Sequence, residues 1–215
     1  MSSGDRADVI IVGAGGSGLA AAIEAARAGG RVLVLEKGDR VRGSTGWSVG
    51  SVSAAGTAHQ RRAGIVDHVD HHFEDLGRFN AGKGEVDNLA LRRILVDEAA
   101  EALRWLEHLG VSFVGPSPEP PHRVSRMHNV VPGSAAFGAC LTRECARLGV
   151  EIRCGWRMTG LIVEEGRVRG VQASAGDGVT QGFTATRGVV LAAGDFSASP
   201  ELKARYFGPE VVAAD

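Results

Sequence analysis

The most constraining feature of the sequence is a glycine motif that separates two apolar runs near the start of the chain. The motif reads Gly13-Ala14-Gly15-Gly16-Ser17-Gly18, a GxGxxG pattern. It follows an apolar run at 7–12, it precedes apolar residues at helical spacing, and a second apolar run follows at 31–35. This order predicts a β-α-β unit whose bare helix N-terminus can approach a pyrophosphate. Dinucleotide binding is favoured over a glycine-rich turn without a ligand.

An acidic residue ends the second predicted strand. Glu36 lies 18 residues after Gly18, where the fingerprint requires a carboxylate that accepts the ribose hydroxyls. We therefore predict that Glu36 binds an unphosphorylated ribose, and we include its neighbour Lys37 among the cofactor-binding residues. The fingerprint by itself recognises only the ADP half that NAD and FAD share.

Composition bounds the remaining possibilities. The 215 residues carry 24 basic and 25 acidic side chains, and this near balance predicts no affinity for nucleic acid. The apolar run near the start is too short for a signal peptide or a spanning helix, so we expect a cytoplasmic protein without a membrane span. The three cysteines have no CxxC spacing, and we predict neither a disulfide framework nor a metal site.

The rest of the chain predicts an α/β fold around a parallel sheet. We expect one domain over 1–215, with a mainly helical insertion at about 60–135. Asp87 is the predicted cap of a long helix that ends at Gly110. Its predicted apolar face comprises Leu91, Leu95, Ala99, Ala102, Leu106 and Leu109.

Later segments predict an antiparallel meander and a final buried strand. A helix is expected after Ser134, then a strand at 150–154. Three short antiparallel strands are expected at 161–164, 168–173 and 182–186. The apolar run at 188–193 predicts a strand buried on both faces of a parallel sheet.

The segment 42–56 resembles the flavin-cradling loop of the fumarate reductase and succinate dehydrogenase flavoprotein family, whose architecture ketosteroid dehydrogenases share. Gly43 and Gly50 retain one glycine of each family pair, while Arg42 and Ser51 occupy the other two places. The resemblance implies that this loop supplies backbone and hydroxyl donors to the cofactor. The implied contact residues are Gly43, Ser44, Thr45, Ser48, Val49, Gly50 and Ser51. Ser44 stands where quinone-linked members carry a flavin-linked histidine, which implies non-covalent FAD.

Two later segments extend the resemblance. The run Val-Val-Leu-Ala-Ala-Gly-Asp-Phe-Ser at 189–197 is similar to the family's strand and Ala-Thr-Gly-Gly-Phe turn, which implies cofactor contacts at Ala193 and Gly194. Asp195 departs from the second glycine, and such an acid is tolerable beside the cofactor if it is solvated or hydrogen-bonded. The segment 155–164 resembles the part that lies along the adenine, with Met158 contributing its backbone.

The resemblance implies a Rossmann-like FAD-binding portion of an oxidoreductase that transfers hydride between flavin N5 and a carbon-carbon bond of a small-molecule substrate. The family's capping domain and its C-terminal catalytic groups have no counterpart in these residues, so no catalytic residue is assigned. Three hypotheses stay open: a fragment of a flavoenzyme, an FAD-binding module completed by a partner chain, and an inactive remnant. An NAD-dependent dehydrogenase is a further alternative that leaves the loop at 43–56 unexplained.

Three other groups of reactive side chains receive less specific interpretations. The loop at 122–129 is rich in histidine and arginine, and a surface or structural role is favoured over a substrate clamp. Acidic and histidine side chains at 67–72 are interpreted as one solvated helix rather than metal ligands. Cys140 and Cys145 are expected to pack as small apolar groups on a helix.

Overall fold

A computed structural model describes residues 5–79 and 87–212, which form two compact units. The first unit comprises 1–44 and 148–215, and the second comprises 45–147. The strands are β1 Arg6–Val12, β2 Val32–Leu35, β3 Ser51–Ser53, β4 Ser112–Ser117, β5 Met127–Val131, β6 Glu151–Arg153, β7 Trp156–Glu164, β8 Arg167–Ala175 and β9 Thr180–Leu191. The helices are α1 Gly16–Arg27, α2 Ser44–Trp47, α3 Ala58–Arg62, α4 Val69–Phe79, α5 Leu89–His108, α6 Ala135–Arg147 and α7 Pro200–Phe207, followed by a 3₁₀ turn Pro209–Val211.

The first unit is built on a six-stranded sheet in the order β6-β2-β1-β9-β8-β7. The strands β6, β2, β1 and β9 pair in parallel, while β8 pairs antiparallel with both β7 and β9. The apolar runs of β1 and β2 form the centre because strands covered on both faces need apolar side chains throughout. Ile10, Leu33 and Phe183 belong to this core and are almost fully buried. The predicted α/β fold around a Rossmann-like parallel sheet is confirmed.

The strand β9 differs from the prediction in its continuity. Residues 182–186 and 188–191 belong to one strand. It pairs antiparallel with β8 up to Thr184, and it pairs in parallel with β1 from Thr184 to Leu191. The expectation that its last part is buried on both faces is wrong. Val190 is 38% exposed and Leu191 is 59% exposed.

The hairpin between β7 and β8 follows the predicted chemistry. Glu165 and Gly166 both have positive φ, of 50° and 73°, which is the backbone of a type I′ turn. That turn matches the right-handed twist of the two strands it joins. The antiparallel meander is therefore confirmed, with β7 beginning five residues earlier than predicted.

The second unit combines helices with a three-stranded antiparallel sheet in the order β3-β5-β4. One face of this sheet packs with side chains of α5 and α6 around Leu103, Phe113, Val130 and Phe137. Cys140 joins that cluster, and Cys145 is fully buried on the same helix, in agreement with the prediction for both cysteines. The region expected to be a mainly helical insertion thus also contributes β4 and β5 to a sheet.

The long helix α5 has the predicted period but a different cap, and only part of its predicted apolar face is covered. Asn88, not Asp87, is the N-cap, and its side chain accepts the Leu91 N–H at 3.1 Å. Asp87 instead pairs with Arg92. The buried residues are Val96, Ala99 and Leu103, whereas the predicted Leu91, Leu95 and Ala102 are exposed. Helical spacing defines an apolar stripe, but the position of the neighbouring elements decides which part of it is covered.

The segment 38–64, which is rich in glycine, serine and alanine, contains regular structure. It includes α2, β3 and α3. The start of α3 is a capping box in which the Thr57 side chain accepts the Gln60 N–H. Reciprocal capping of this kind satisfies helix N–H groups locally and fixes the chain entry.

Gly138 gives a stability test within α6. Its φ is not in the left-handed region, and an added Cβ would meet no atom within 4 Å. Gly138→Ala should therefore raise the free energy of unfolding by about 0.5–1 kcal/mol, because alanine has less backbone freedom to lose on folding. Urea titration followed by circular dichroism measures this. Gly149→Ala is the matched control: it has the same open surroundings but a φ of 72°, so it should destabilise. A Gly138→Ala protein that is less stable than the unmodified chain would contradict the placement of Gly138 in open surroundings on helical backbone.

Candidate functional site

The glycine motif forms the turn between β1 and α1. Gly13 has a φ of 101°, and a Cβ there would lie 2.9 Å from the carbonyl carbon of Ala192. A Cβ on Gly18 would overlap the Gly13 carbonyl group, so α1 can approach the strand only because Gly18 lacks a side chain. Gly15 is the N-cap of α1 and provides no side-chain cap. The helix therefore begins with bare backbone, which is suited to a pyrophosphate.

The carboxylate of Glu36 is fixed beside this turn. Its Oε2 accepts the Ala14 N–H at 2.7 Å, and its Oε1 accepts the Gly38 N–H at 2.8 Å. Each carboxylate oxygen has two acceptor positions, so both oxygens retain capacity for a further donor. Glu36 is half-buried at the end of β2, whereas the neighbouring Lys37 is exposed. The geometry fits a carboxylate that accepts ribose hydroxyls.

The start of β7 is bound to the segment that follows β2. The Gly155 N–H donates to the Gly38 carbonyl at 2.7 Å, and the Trp156 N–H donates to the Glu36 carbonyl at 2.8 Å. The Trp156 ring packs edge-on against Phe183 at 5.1 Å between centroids. These contacts place Met158 and Glu36 in the wall of one cavity.

This cavity has a volume of about 780 Å³ and lies within the first unit. Six of the predicted cofactor residues line it: Gly13, Glu36, Lys37, Met158, Ala193 and Gly194. Trp156 and Arg157 belong to the segment predicted along the adenine but were not named as cofactor residues, and the start of α7 was missed as part of the wall. The contact of β7 with the segment after β2 depends on tertiary structure. The wall contributed by α7 has no local signal in the sequence.

Asp195, the residue that departs from the family turn, also lines the cavity. Its Oδ1 accepts the hydroxyl of Ser197 at 2.6 Å and the Ser197 N–H at 2.8 Å. These two bonds lower the pKa of the Asp195 carboxyl below its usual value. The Asp195 carboxylate is therefore hydrogen-bonded, and a hydrogen-bonded acid is tolerable beside the cofactor.

The predicted flavin loop is divided between the two units. Gly43 belongs to the first unit, where its φ is 140° and a Cβ would lie 3.0 Å from Gly15 Cα. Ser44 begins α2, and the remaining predicted contact residues belong to the second unit. The two glycine stretches of the first unit therefore approach each other closely, backbone against backbone.

Within the second unit the loop residues have defined local contacts. Gly50 has a φ of 78°, and a Cβ there would overlap the Val130 side chain. The Ser48 hydroxyl donates to the Thr45 carbonyl at 2.8 Å, and the Ser51 hydroxyl donates to Asn129 Oδ1 at 2.7 Å. Val49 is 89% exposed. The Ser51 hydroxyl is thus engaged as a donor and has only its acceptor positions for a ligand.

The histidine- and arginine-rich stretch is structural, which is one of the two roles favoured over a substrate clamp, and its key side chains are buried rather than on the surface. Arg126 and His128 are fully buried, and residues from 127 onward form β5. Arg126 binds Asp67 through Nε at 2.6 Å and Asp75 through Nη1 at 2.6 Å. Burial disfavours the charged Asp75, yet the Arg123 N–H and the Arg126 guanidinium outweigh it and hold the Asp75 pKa far below its usual value.

The interpretation of 67–72 as one solvated helix is also wrong in part. His68 and His71 are exposed, but the Asp67 carboxylate and the His72 ring are buried. Both ring nitrogens of His72 lack a hydrogen-bond partner among the described residues. Burial, reinforced by the nearby Arg126 charge, lowers the His72 pKa to about 4. His72 is therefore neutral at pH 7.

Two kinds of feature are absent from the described residues. No group of three or more histidine, cysteine, aspartate or glutamate side chains in 5–79 and 87–212 is arranged to hold a metal ion. Over the same residues, no helix combines the length and apolar character that crossing a membrane requires.

Comparisons with known proteins agree with the geometry. The family described as FAD binding domain matches residues 8–214. NADH:fumarate oxidoreductase of Klebsiella pneumoniae (strain 342) is 29% identical over 202 residues, covering 93% of this chain and 21% of the relative. The open conformation of a flavocytochrome c3 fumarate reductase has a TM-score of 0.87 and 27% identity, over 97% of this chain and 37% of that chain.

A further structure extends the likeness in fold. The 3-ketosteroid-delta4-(5alpha)-dehydrogenase of Rhodococcus jostii RHA1 has a TM-score of 0.81 at 24% identity, over 98% of this chain and 54% of that chain. The chain spans between 21% and 40% of the length of the curated relatives that it matches. The chain therefore belongs to the FAD binding domain family and corresponds to the FAD-binding portion of fumarate reductase-like flavoenzymes.

Proposed function

We propose that the chain binds FAD non-covalently, with its ADP half in the cavity of the first unit. The observation that carries this proposal is the Glu36 carboxylate, which is fixed by the Ala14 N–H at the start of the glycine turn and faces the same cavity as Gly194 and Met158. A dinucleotide needs a bare helix N-terminus close to a ribose acceptor. The proposal is supported by Gly13 of the glycine turn, which lines the cavity together with Glu36.

The cofactor residues are proposed as a set with defined tasks. The helix start at Gly15 and Gly16 would receive the pyrophosphate, and Glu36 would accept the ribose hydroxyls. Glycine at 13 and 18 supports this arrangement, because a Cβ at either position would collide with backbone atoms of Ala192 or of Gly13 and would displace the turn. Ser17, Lys37, Met158, Ala193 and Gly194 complete the proposed set at the ADP end. The residues proposed for the flavin end are Gly43, Ser44, Thr45, Ser48, Val49, Gly50 and Ser51.

The proposed reaction is hydride transfer to or from a carbon-carbon bond of a small substrate. Bound FAD supplies the hydride chemistry at its N5 atom. The relative from Klebsiella pneumoniae and the flavocytochrome are both named for fumarate, which supports an activated alkene as the substrate class. We assign no catalytic residue within the described residues. Ser44 at the place of a linking histidine supports non-covalent attachment.

The proposed setting is cytoplasmic and independent of nucleic acid. The cysteines of the described residues are free thiols, which suits a reducing compartment. The formal net charge of −1 provides no field that would attract a polyanion.

The first experiment is a visible absorption spectrum of the purified chain after FAD addition and gel filtration. Flavin bands that stay with the protein support the proposal, and acid precipitation should release the flavin because attachment is non-covalent. A folded chain that retains no FAD contradicts it. Retention of NAD in a parallel run would favour the dehydrogenase alternative.

Glu36→Gln tests the ribose contact. The amide keeps the size of the side chain but removes its charge, and hydrogen bonds to charged groups are the stronger ones. The FAD dissociation constant should rise about tenfold, as measured by flavin fluorescence titration. Glu164→Gln, an exposed position at the far end of β7, serves as the control and should leave it unchanged. Equal affinities for both variants would argue against the proposed role of Glu36.

A further inference from the structure

The second half of the predicted flavin loop and the residue after it, 50–57, are fixed by groups from other segments of the second unit. The Val52 carbonyl accepts His128 Nδ1–H at 3.1 Å, and the Ala54 N–H donates to the Arg126 carbonyl at 3.2 Å. Gln60 Oε1 accepts the N–H groups of Gly56 at 2.7 Å and Thr57 at 3.3 Å. The segment is therefore fixed at several points along its length.

The side chains that make these contacts are themselves fully buried and fixed. Gln60 Nε2 donates to Asp67 Oδ2 and to the Ser125 carbonyl, both at 2.9 Å. The second ring nitrogen of His128 lies 2.9 Å from the Thr57 hydroxyl. With Nδ1 donating to Val52, Nε2 accepts from Thr57 in the neutral ring. Burial lowers the His128 pKa, which favours this neutral form.

Arg126 joins these contacts into one cluster. Its Nε and Nη2 bind the two oxygens of Asp67 at 2.6 and 2.8 Å, and its Nη1 reaches Asp75 at 2.6 Å. The side chains of Arg126, Asp67 and Asp75 are all fully buried. We call Gln60, Asp67, Asp75, Arg126 and His128 the Arg126 cluster.

The energetics of such a cluster indicate a positional role. The free-energy cost of desolvating a buried ion pair often equals or exceeds the attraction between its charges. Apolar residues of similar volume therefore often stabilise a core at least as much as the ion pair does. The guanidinium fork, in contrast, permits only a narrow range of carboxylate orientations. Fixing Asp67 fixes Gln60, and Gln60 fixes the N–H groups of Gly56 and Thr57.

We propose that Arg126 is a positioning residue, which fixes the backbone of 50–57 through Asp67 and Gln60 and so holds the adjoining loop at 45–49 ready for the flavin. The effect of Arg126 on flavin binding rests on the proposed FAD function, since Arg126 can influence the flavin only through a loop that contacts it. The positioning itself is a property of the chain without cofactor.

Hydrogen exchange on the unmodified full chain tests the positioning directly. The amides of Ala54, Gly56 and Thr57 should be protected without FAD, and FAD should change their protection by less than about tenfold. Amides of 45–49 should gain more protection than these when FAD binds. Unprotected amides at 54–57 in the folded chain without FAD would overturn the proposal.

Arg126→Lys tests the consequence for the cofactor. Lysine keeps the charge but cannot bridge two carboxylates through a planar fork. FAD affinity should fall about tenfold or more, and the visible bands of the bound flavin should shift, because small misplacements of cofactor contacts have large effects. Arg93→Lys is the matched control on an exposed ion pair of the same unit, and it should stay within about twofold of the unmodified chain.

If circular dichroism shows that Arg126→Lys does not fold, a second variant tests the same proposal. Asp67→Asn keeps the shape of the side chain, removes its charge and weakens its bonds to Arg126 and Gln60. A folded variant of either kind with unchanged affinity and flavin spectrum overturns the proposal. If the unmodified chain retains no FAD, the proposed function fails, whereas the exchange of the 54–57 amides still decides the positioning.

Discussion

Replacing Gly18 by valine is expected to abolish FAD retention and to lower the free energy of unfolding by more than about 3 kcal/mol. A Cβ at this position would overlap the Gly13 carbonyl oxygen and lie 3.0 Å from its carbon, and it would also contact the Ala192 side chain at 3.4 Å. The two Gly13 atoms belong to the backbone, which cannot move as a flexible side chain can. Valine adds two further carbons to the same space.

The expected loss has two separable parts. Urea unfolding measures the stability change, and flavin absorbance after gel filtration at a temperature where the variant is folded measures retention. Gly188→Ala is the control, because an added Cβ on that residue of β9 would meet nothing within 4 Å. The control should retain FAD like the unmodified chain. A stable Gly18→Val protein that retains FAD would show that α1 does not need its close approach to the turn.

Lowering the pH from 7 to 5 is expected to reduce the free energy of unfolding by about 2 kcal/mol through His72 alone. Burial and the Arg126 charge lower its pKa from 6.5 to about 4 in the folded chain. Between those two values the unfolded chain binds a proton that the folded chain does not. Stability is therefore lost as the pH falls through 6.5, and the loss from His72 is complete near pH 4.

His72→Leu separates this contribution from those of the other groups. Neither ring nitrogen has a hydrogen-bond partner among the described residues, so leucine removes no such bond to them. The variant should be as stable as the unmodified chain at pH 7 and should lose about 2 kcal/mol less by pH 5. His122 and His128, whose pKa values are also lowered by burial, titrate in the same direction and remain.

Urea titrations at pH 7 and pH 5 measure the difference. His71→Leu, at an exposed position on the same helix, is the control and should keep the full pH dependence. An unchanged pH dependence in His72→Leu would falsify the assignment of the acid sensitivity to this ring.

The proposed cofactor-binding residues of the first unit were predictable because the sequence patterns that indicate them are local. The glycines from 13 to 18 are needed where backbone meets backbone, and Glu36 follows a strand whose end is marked by its own sequence. Turn chemistry predicted the hairpin between β7 and β8 in the same way. These features depend on residues within one or two turns of each other, so the sequence carries the information directly.

The burial of polar groups was not predictable on the same basis. His72 and Asp67 lie in a stretch whose composition is typical of a solvated helix, and Arg126 lies in one that resembles an exposed loop. Their burial depends on each other, since Asp67 and Arg126 are 59 positions apart and neither would be buried without the other. Pairing between distant positions leaves no periodic signal in a single sequence.

The sequence by itself determined the β-α-β unit, its glycine turn, its terminal carboxylate and, by resemblance, the family and its cofactor. Only the tertiary structure decided that Leu91 and Leu95 are exposed, that β9 is one strand with two kinds of neighbour, and that α7 lines the cavity. The physical reason is the range of the interactions. Backbone conformation and capping are set by adjacent residues, whereas burial, strand register and cavity walls are set by elements that the chain brings together only when it folds.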